Sequence, residues 1–595
     1  MKSLFRYYIV MFLLFTPAFA MAQDSIVSQN VTVIKDFTPE IKNASKITFR
    51  PHAEPPTVID FSNINYNVLY RSEPYLPYVN PLSMPTYERS SYTALHNGYA
   101  NIMIGYPLQT RANLFYTTRA SRDLILGAGF NHKGFYDKLR NDYGDKTSAL
   151  DMTNELSLML QYRLNDLEIK FDGHVQHHIF DRYGYANPMG GKLSQEQYDK
   201  AQDGIKQYYL RAYANIFIGM PENSLHSLFN SRFKGSISFI SDKYKYSEQV
   251  TYAGVTASTR KLNDRHRFFL DLEYMILIAN DKLMQTKPVL LPTQQNKFLS
   301  TLGTKEILPY STLFAYPKYT FNYRKLDVEV GAKMTFHVGN KWYDESKHSI
   351  NPVAKVQVRF LENMLIPYLS LDGAYQYNTY YNLSAQNPFI ANGLTAPNSN
   401  INTLIFGFKG DVKSKLKYDA FVGYESTDNK VMFVNNMYGN TFAAAIEDLD
   451  AFIMGVSFKY NITQNVYVDG VWRYDNYKSI TNKELGVTDN FAYGIPKHKA
   501  AFKVGYDHNK DIFGAYLKAT IQSKRECVSV FDGAPVLSFN EIGAKVDLSL
   551  GGYYKYNNRL SFNLELNNVL GSKLYEYNFY RGIGFNALIG ASFLF

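Results

Sequence analysis

From Leu326 to Val338 the chain alternates with a period of two. Leu326, Val328, Val330, Ala332, Met334, Phe336 and Val338 fall on one face, and Asp327, Glu329, Gly331, Lys333, Thr335 and His337 on the other. A helix would mix these two sets on every turn, so the segment reads as a strand with one apolar and one polar face. The same division sets Leu560, Phe562, Leu564 and Leu566 against Ser561, Asn563, Glu565 and Asn567, and Leu167, Ile169, Phe171 and Val175 against Glu168, Lys170, Asp172 and Gln176. A wall with hydrocarbon on one side and water on the other requires this pattern over roughly ten residues per strand.

Segments of this kind begin near Thr93, Gln109, Arg122, Met152, Asp166, Gln207, Arg232, Gln249, Arg265, Ser311 and Lys325 in the first half. In the second half they begin near Ile350, Leu365, Ile401, Lys415, Asp450, Asn465, His498, Ile512, Glu541, Arg559 and Gly584. The expected fold is therefore all-β, a transmembrane antiparallel β-barrel of about 22 strands, with roughly 18 to 24 as the range. Barrels of this kind have short periplasmic turns and long extracellular loops. With both termini periplasmic, the tight turns at Leu164-Asn165, Arg324-Lys325, Ser414-Lys415, Asn461 to Gln464, His508 to Lys510 and Asn557-Asn558 all fall inside. The long stretches 135–150, 182–206, 280–310, 378–400, 426–449, 476–497, 524–540 and 571–583 all fall outside, and only 221–231 fits the alternation poorly. No fixed-period repeat supports a propeller or a β-helix.

The ends of the chain add to this picture. Lys2 and Arg6 precede the apolar stretch Tyr7 to Phe15, and Ala20-Met21-Ala22 supplies small residues, so residues 1–22 read as a cleaved signal peptide. Beyond Phe15 no apolar run approaches the roughly 18 residues of a spanning helix. The C-terminus runs Asn586-Ala587-Leu588-Ile589-Gly590-Ala591-Ser592-Phe593-Leu594-Phe595 and closes a two-faced strand on an aromatic residue. This resembles the C-terminal signal by which the barrel-assembly machinery recognises its clients, with Phe593 and Phe595 in the aromatic positions.

Composition agrees with a membrane wall. The 50 Tyr and 41 Phe stand against 2 Trp among 595 residues, which suits aromatic girdles at two membrane interfaces. A net charge of +10 is spread among acidic residues with no basic stripe, so nucleic acid is excluded as a partner. With one cysteine, Cys527, there is no intramolecular disulfide framework.

About 22 strands, long outer loops and the ending Leu564-Glu565-Leu566-Asn567-Asn568-Val569-Leu570 before the closing strand resemble a TonB-dependent receptor over residues 93–595. The Ala-Gln pair at the cleavage point, the richness in Tyr and Asn, and Asp36-Phe37-Thr38-Pro39-Glu40-Ile41 resemble proteins of Bacteroidota. Val31-Thr32-Val33-Ile34 resembles a TonB box. The departure lies in residues 23–92, too short for the plug domain such receptors carry before the first strand. They hold Pro39, Pro51, Pro55, Pro56, Pro74, Pro77, Pro81 and Pro85, which keep the chain extended. This segment is expected in the periplasm or filling the lumen, since a barrel this wide leaks unless something occupies it.

Few constellations suggest other chemistry. His174 and His178, in His-Val-Gln-His-His, point to the lumen about 13 Å apart, while His177 faces the other way. They are weak metal candidates, and a polar lumen face is the preferred reading. Lumen faces carry both signs, which favours ion-paired packing over an ion-selective pore. No nucleophile elbow, zinc-protease helix or phosphate loop appears, so no enzyme activity and no cofactor are expected. Outer-loop runs such as Asn378 to Asn382 and Tyr575 to Tyr580 are candidates for ligand binding.

The leading functional expectation is a TonB-dependent-receptor-like outer-membrane barrel that binds and imports a nutrient or other large solute. The alternatives are a non-transporting subunit of an envelope assembly or secretion complex, or a passive porin. The partners implied are outer-membrane lipid and lipopolysaccharide, the barrel-assembly machinery, and TonB or a surface lipoprotein.

Overall fold

The computed structural model describes residues 97–595, except Arg122, residue 395 and the turn and loop segments 141–145, 165–166, 185–204, 221–228, 260–264, 281–309, 340–347, 436–440, 480–491, 509–511 and 531–536. The leader, the proline-rich segment 23–92 and Val31 to Ile34 lie outside the described residues.

Twenty-two antiparallel strands form one closed wall. The first eleven are β1 (Gly98–Tyr106), β2 (Gln109–Arg119), β3 (Leu124–Phe135), β4 (Asp151–Leu164), β5 (Leu167–Asp181), β6 (Lys206–Gly219), β7 (Phe229–Asp242), β8 (Ser247–Thr259), β9 (His266–Ala279), β10 (Tyr310–Tyr323) and β11 (Leu326–Gly339). The second eleven are β12 (His348–Val358), β13 (Ile366–Gln376), β14 (Ser399–Val412), β15 (Leu416–Asn435), β16 (Phe442–Asn461), β17 (Val466–Ser479), β18 (His498–Asp507), β19 (Phe513–Gln522), β20 (Lys545–Lys555), β21 (Leu560–Asn567) and β22 (Asn586–Leu594). Each pairs with its sequence neighbour, and β22 pairs with β1 to close the ring. Closure matters because a lipid-exposed sheet edge would leave backbone groups without partners in hydrocarbon.

The two faces are those the alternation predicts. Ile102, Ile104 and Ile589 are more than half exposed on the outer face, with Leu564 and Phe593 beside them. The inner face is ion-paired: Arg359 bonds Asp327, Lys333 bonds Asp372 at 2.6 Å, and Arg111 bonds Glu565 at 3.0 Å. Inside, tyrosine rings lie flat over glycines of the next strand. A Cβ at Gly505 would meet the Tyr467 ring at 2.2 Å, and one at Gly551 the Tyr516 ring at 2.3 Å, so only glycine admits these rings. On the outer face a recess of about 480 Å³ is lined by Tyr506, Ala515, Leu517, Leu550, Gly552 and Leu564, as expected where small residues let lipid chains approach the wall.

The periplasmic turns are made by local chemistry. Lys413 and Ser414 both take positive φ, which gives the tight turn whose twist suits a hairpin, closed by the Lys415 amide on the Val412 carbonyl at 3.0 Å. In the β20–β21 turn the Asn557 side-chain oxygen accepts the Arg559 and Leu560 amides, each at 2.8 Å.

One boundary differs from expectation: β16 begins at Phe442 rather than near Asp450. The start expected near Thr93 lies outside the described residues, and the first described strand begins at Gly98. β15 and β16 are each 20 residues long, so part of the stretch 426–449 is strand rather than loop.

Candidate functional site

The outer mouth is covered by a cap that the loops themselves build. The connection between β13 and β14 carries a short helix, α1 (Tyr380–Gln386), whose N-cap Thr379 accepts the Asn382 amide at 3.2 Å. The wall supplies the rest of the cap of this helix. Glu248, at the outer end of β8, accepts the Tyr380 amide at 2.9 Å and the Tyr381 amide at 3.1 Å. Helix amides left without partners in the first turn are thereby satisfied by a carboxylate from another element. Asp242, at the outer end of β7, accepts the Tyr380 hydroxyl at 3.0 Å and the Tyr244 and Tyr246 amides. Burial pushes the Tyr380 phenol well above the usual range, so it serves as a donor.

Further along this connection, Arg182 donates to the Ile390 carbonyl at 2.6 Å and to Asn392 at 2.7 Å. The Tyr209 hydroxyl donates to the Pro388 carbonyl at 2.8 Å. Arg211 donates to Ser384 and lies against the Tyr209 and Tyr381 rings. Phe389 stacks on Tyr580 at 3.8 Å between ring centres, and the Phe442 amide donates to the Phe389 carbonyl at 3.0 Å. One apolar cluster therefore joins Phe180, Tyr209 and Ile240 to Phe442 and Tyr580. β6 and β16 stand ten strands apart around a ring of twenty-two, so these contacts cross the mouth.

The outer part of β16 is the spine of this cap. Phe442, Ala444 and Ile446 face the cluster with α1, while Ala443, Ala445 and Leu449 pack in a second cluster with Met432, Val434, Tyr477 and Tyr493. A strand buried on both faces needs small residues where its neighbours come close, and three consecutive alanines provide them. A hairpin of Arg525–Val530 and Leu537–Ile542 adds to the second side: the Glu526 backbone carbonyl accepts the Gly494 amide at 2.6 Å, and Arg525 donates to the Tyr575 and Glu576 carbonyls. Cys527 is buried in this hairpin, which pushes its thiol up to about 11.

The residues singled out from the sequence fare differently. His174 bonds Glu155 at 3.3 Å and His178 bonds Asp151 at 2.9 Å, so each is taken by its own acid on β4. His177 lies against Tyr208 on the other face. Among the described residues no group of three or more metal-ligating side chains comes together. Phe593 and Phe595 lie on the outer face, and Phe595 exchanges backbone hydrogen bonds with Gly98 at the closing seam. Asn378, Tyr380 and Tyr580 are fully buried in the cap rather than offered to the outside. Glu248, Asp242 and Arg182 were not singled out, because a charged residue at the end of a lumen face looks like any other.

No family model matches the sequence, and no curated protein matches it. Solved structures do. The ferric-catecholate import receptor Fiu of Escherichia coli K12 superposes with a TM-score of 0.58 at 13% identity, covering 84% of this chain and 82% of that one. A mutant of the ferric enterobactin receptor PfeA of Pseudomonas aeruginosa gives 0.60 at 10% identity, covering 84% and 80%. The FrpB iron transporter of Neisseria meningitidis gives 0.60 at 11%, covering 84% and 82%. The fold of this chain is the fold of these receptors. With a closed wall and an apolar outer face, the chain is a multi-pass outer-membrane β-barrel protein.

Proposed function

We propose that this barrel is a surface receptor that binds a solute outside and imports it in the manner of TonB-dependent receptors. The observation that carries this reading is the 22-stranded wall shared with import receptors, around an ion-paired lumen. A channel for passive diffusion gains nothing from a packed cap across its mouth, so the porin reading is the weaker one. In this proposal residues 1–22 are the leader and Val31 to Ile34 pair with TonB. Residues 23–92 then occupy the lumen. The barrel-assembly machinery would read Phe593 and Phe595, and lipopolysaccharide would surround the outer rim. The origin in Bacteroidota and the lack of enzyme activity belong to the same proposal.

Val33→Pro tests the reading, because proline cannot donate in a pairing strand. Uptake and capture of a TonB C-terminal domain by residues 23–45 should both be lost, and unchanged capture removes the TonB coupling. A second reading, a non-transporting subunit that holds surface lipoproteins, draws on the firmly bonded cap. Stoichiometric partners recovered in mild detergent would favour it, and a lone monomer would count against it.

A further inference from the structure

Two guanidinium groups hold the underside of the cap, and among the described residues neither is ion-paired to an acid. A buried arginine ordinarily faces a carboxylate, because an unpaired charge out of water is costly. Arg182 is 5% exposed, yet its bonds go to the Ile390 carbonyl and the Asn392 amide oxygen. Arg211, half-buried on the next strand, bonds the Ser384 hydroxyl at 2.9 Å and the Gln176 amide oxygen at 3.1 Å. Among the described residues no carboxylate comes within 4 Å of either. Asp242 lies in the field of Arg182, but its oxygens are taken by the Tyr244 and Tyr246 amides and the Tyr380 hydroxyl. In both arginines the Nε is buried without a partner.

Three of the four acceptors, Ile390, Asn392 and Ser384, belong to the cap connection, and all four are neutral. Hydrogen bonds from a guanidinium to an anion are roughly twice as strong as those to neutral acceptors, and a fork of two donors suits a carboxylate or other oxyanion. The Tyr209 and Tyr381 rings on Arg211 already hold it in place without neutralising it. We propose that Arg182 and Arg211 form a site for an oxyanionic group of the solute, and that the anion takes these guanidiniums from the loop and so releases residues 384–392 from the wall. The inference rests on the solute-receptor reading and names the chemistry of its solute.

The test is amide hydrogen exchange of residues 380–392 in the full chain in detergent, with saturating citrate as the probe and sodium chloride at matched ionic strength as the control. Citrate should speed exchange of this segment at least tenfold over the control, and Arg182→Gln/Arg211→Gln should abolish the difference. Arg182→Lys/Arg211→Lys keeps the charge without the fork and should respond weakly; it also serves if the glutamine pair does not fold, as judged by heat-modifiable migration. Equal exchange in citrate and chloride for the native chain overturns the proposal, as does an undiminished citrate response in the variants. Because uptake is not the readout, a failure here leaves the Val33→Pro test of import standing.

Discussion

Glu248 faces the lumen side of β8 like the residues two and four beyond it, but its carboxylate serves the loop above rather than a neighbour in the wall. It is 1% exposed, and both oxygens are used by amides of α1. Replacing it with alanine leaves those amides buried without partners, at about 1–3 kcal/mol. Glu248→Ala should therefore raise hydrogen exchange of the Tyr380 and Tyr381 amides about ten- to hundredfold while the strands keep their protection. Unchanged protection at those amides would mean that the cap does not depend on this joint. Cys527 offers a native reporter of the same region. The thiolate is the reactive form, and burial holds the thiol up to about 11. Maleimide should label Cys527 far more slowly in the folded protein at pH 7 than after unfolding, as read by intact mass, and labelling at the unfolded rate would contradict the buried hairpin. Neither residue stands out in the sequence: Glu248 is one charged residue at the end of a strand, and one cysteine carries no pattern.

Strands of the lower wall were legible because each separates hydrocarbon from water, and that separation writes a period of two. The outer half of β16 separates nothing. Phe442 to Ile446 is buried on both faces, so its residues are apolar or small without alternation, and the stretch reads as loop. The strand start near Asp450 marks where the alternation resumes, at the height where β16 rejoins the wall. The cap loop 377–398 was visible as a run of Tyr and Asn, but its inward turn depends on Glu248, Asp242 and Arg182 on other elements. The tight packing on both sides of Ala444 predicts a specific weakness. Ala444→Phe should overpack the spine at a cost of about 1–3 kcal/mol. Limited proteolysis should then cut within the cap connections while the barrel keeps its heat-modifiable migration. A barrel that falls apart, or a cap that stays resistant, would show that β16 is not the independent spine described above.

At the scale of the whole molecule, two barriers are set in series in the proposed arrangement: the cap across the outer mouth and residues 23–92 within the lumen. A lumen of twenty-two strands is wide enough to conduct when neither is in place. Planar-bilayer recordings of four proteins separate the two contributions: the native chain, one lacking residues 23–92, one carrying Glu248→Ala with Ala444→Phe, and one with both changes. Barriers in series predict low conductance for the first three and a large conductance for the fourth. If the truncation alone opens the pore, the cap packs across the mouth without sealing it to ions. If weakening the cap alone opens it, residues 23–92 do not fill the lumen. An import receptor must keep at least one barrier closed while a solute passes the other, so the serial pattern is the one the receptor reading needs.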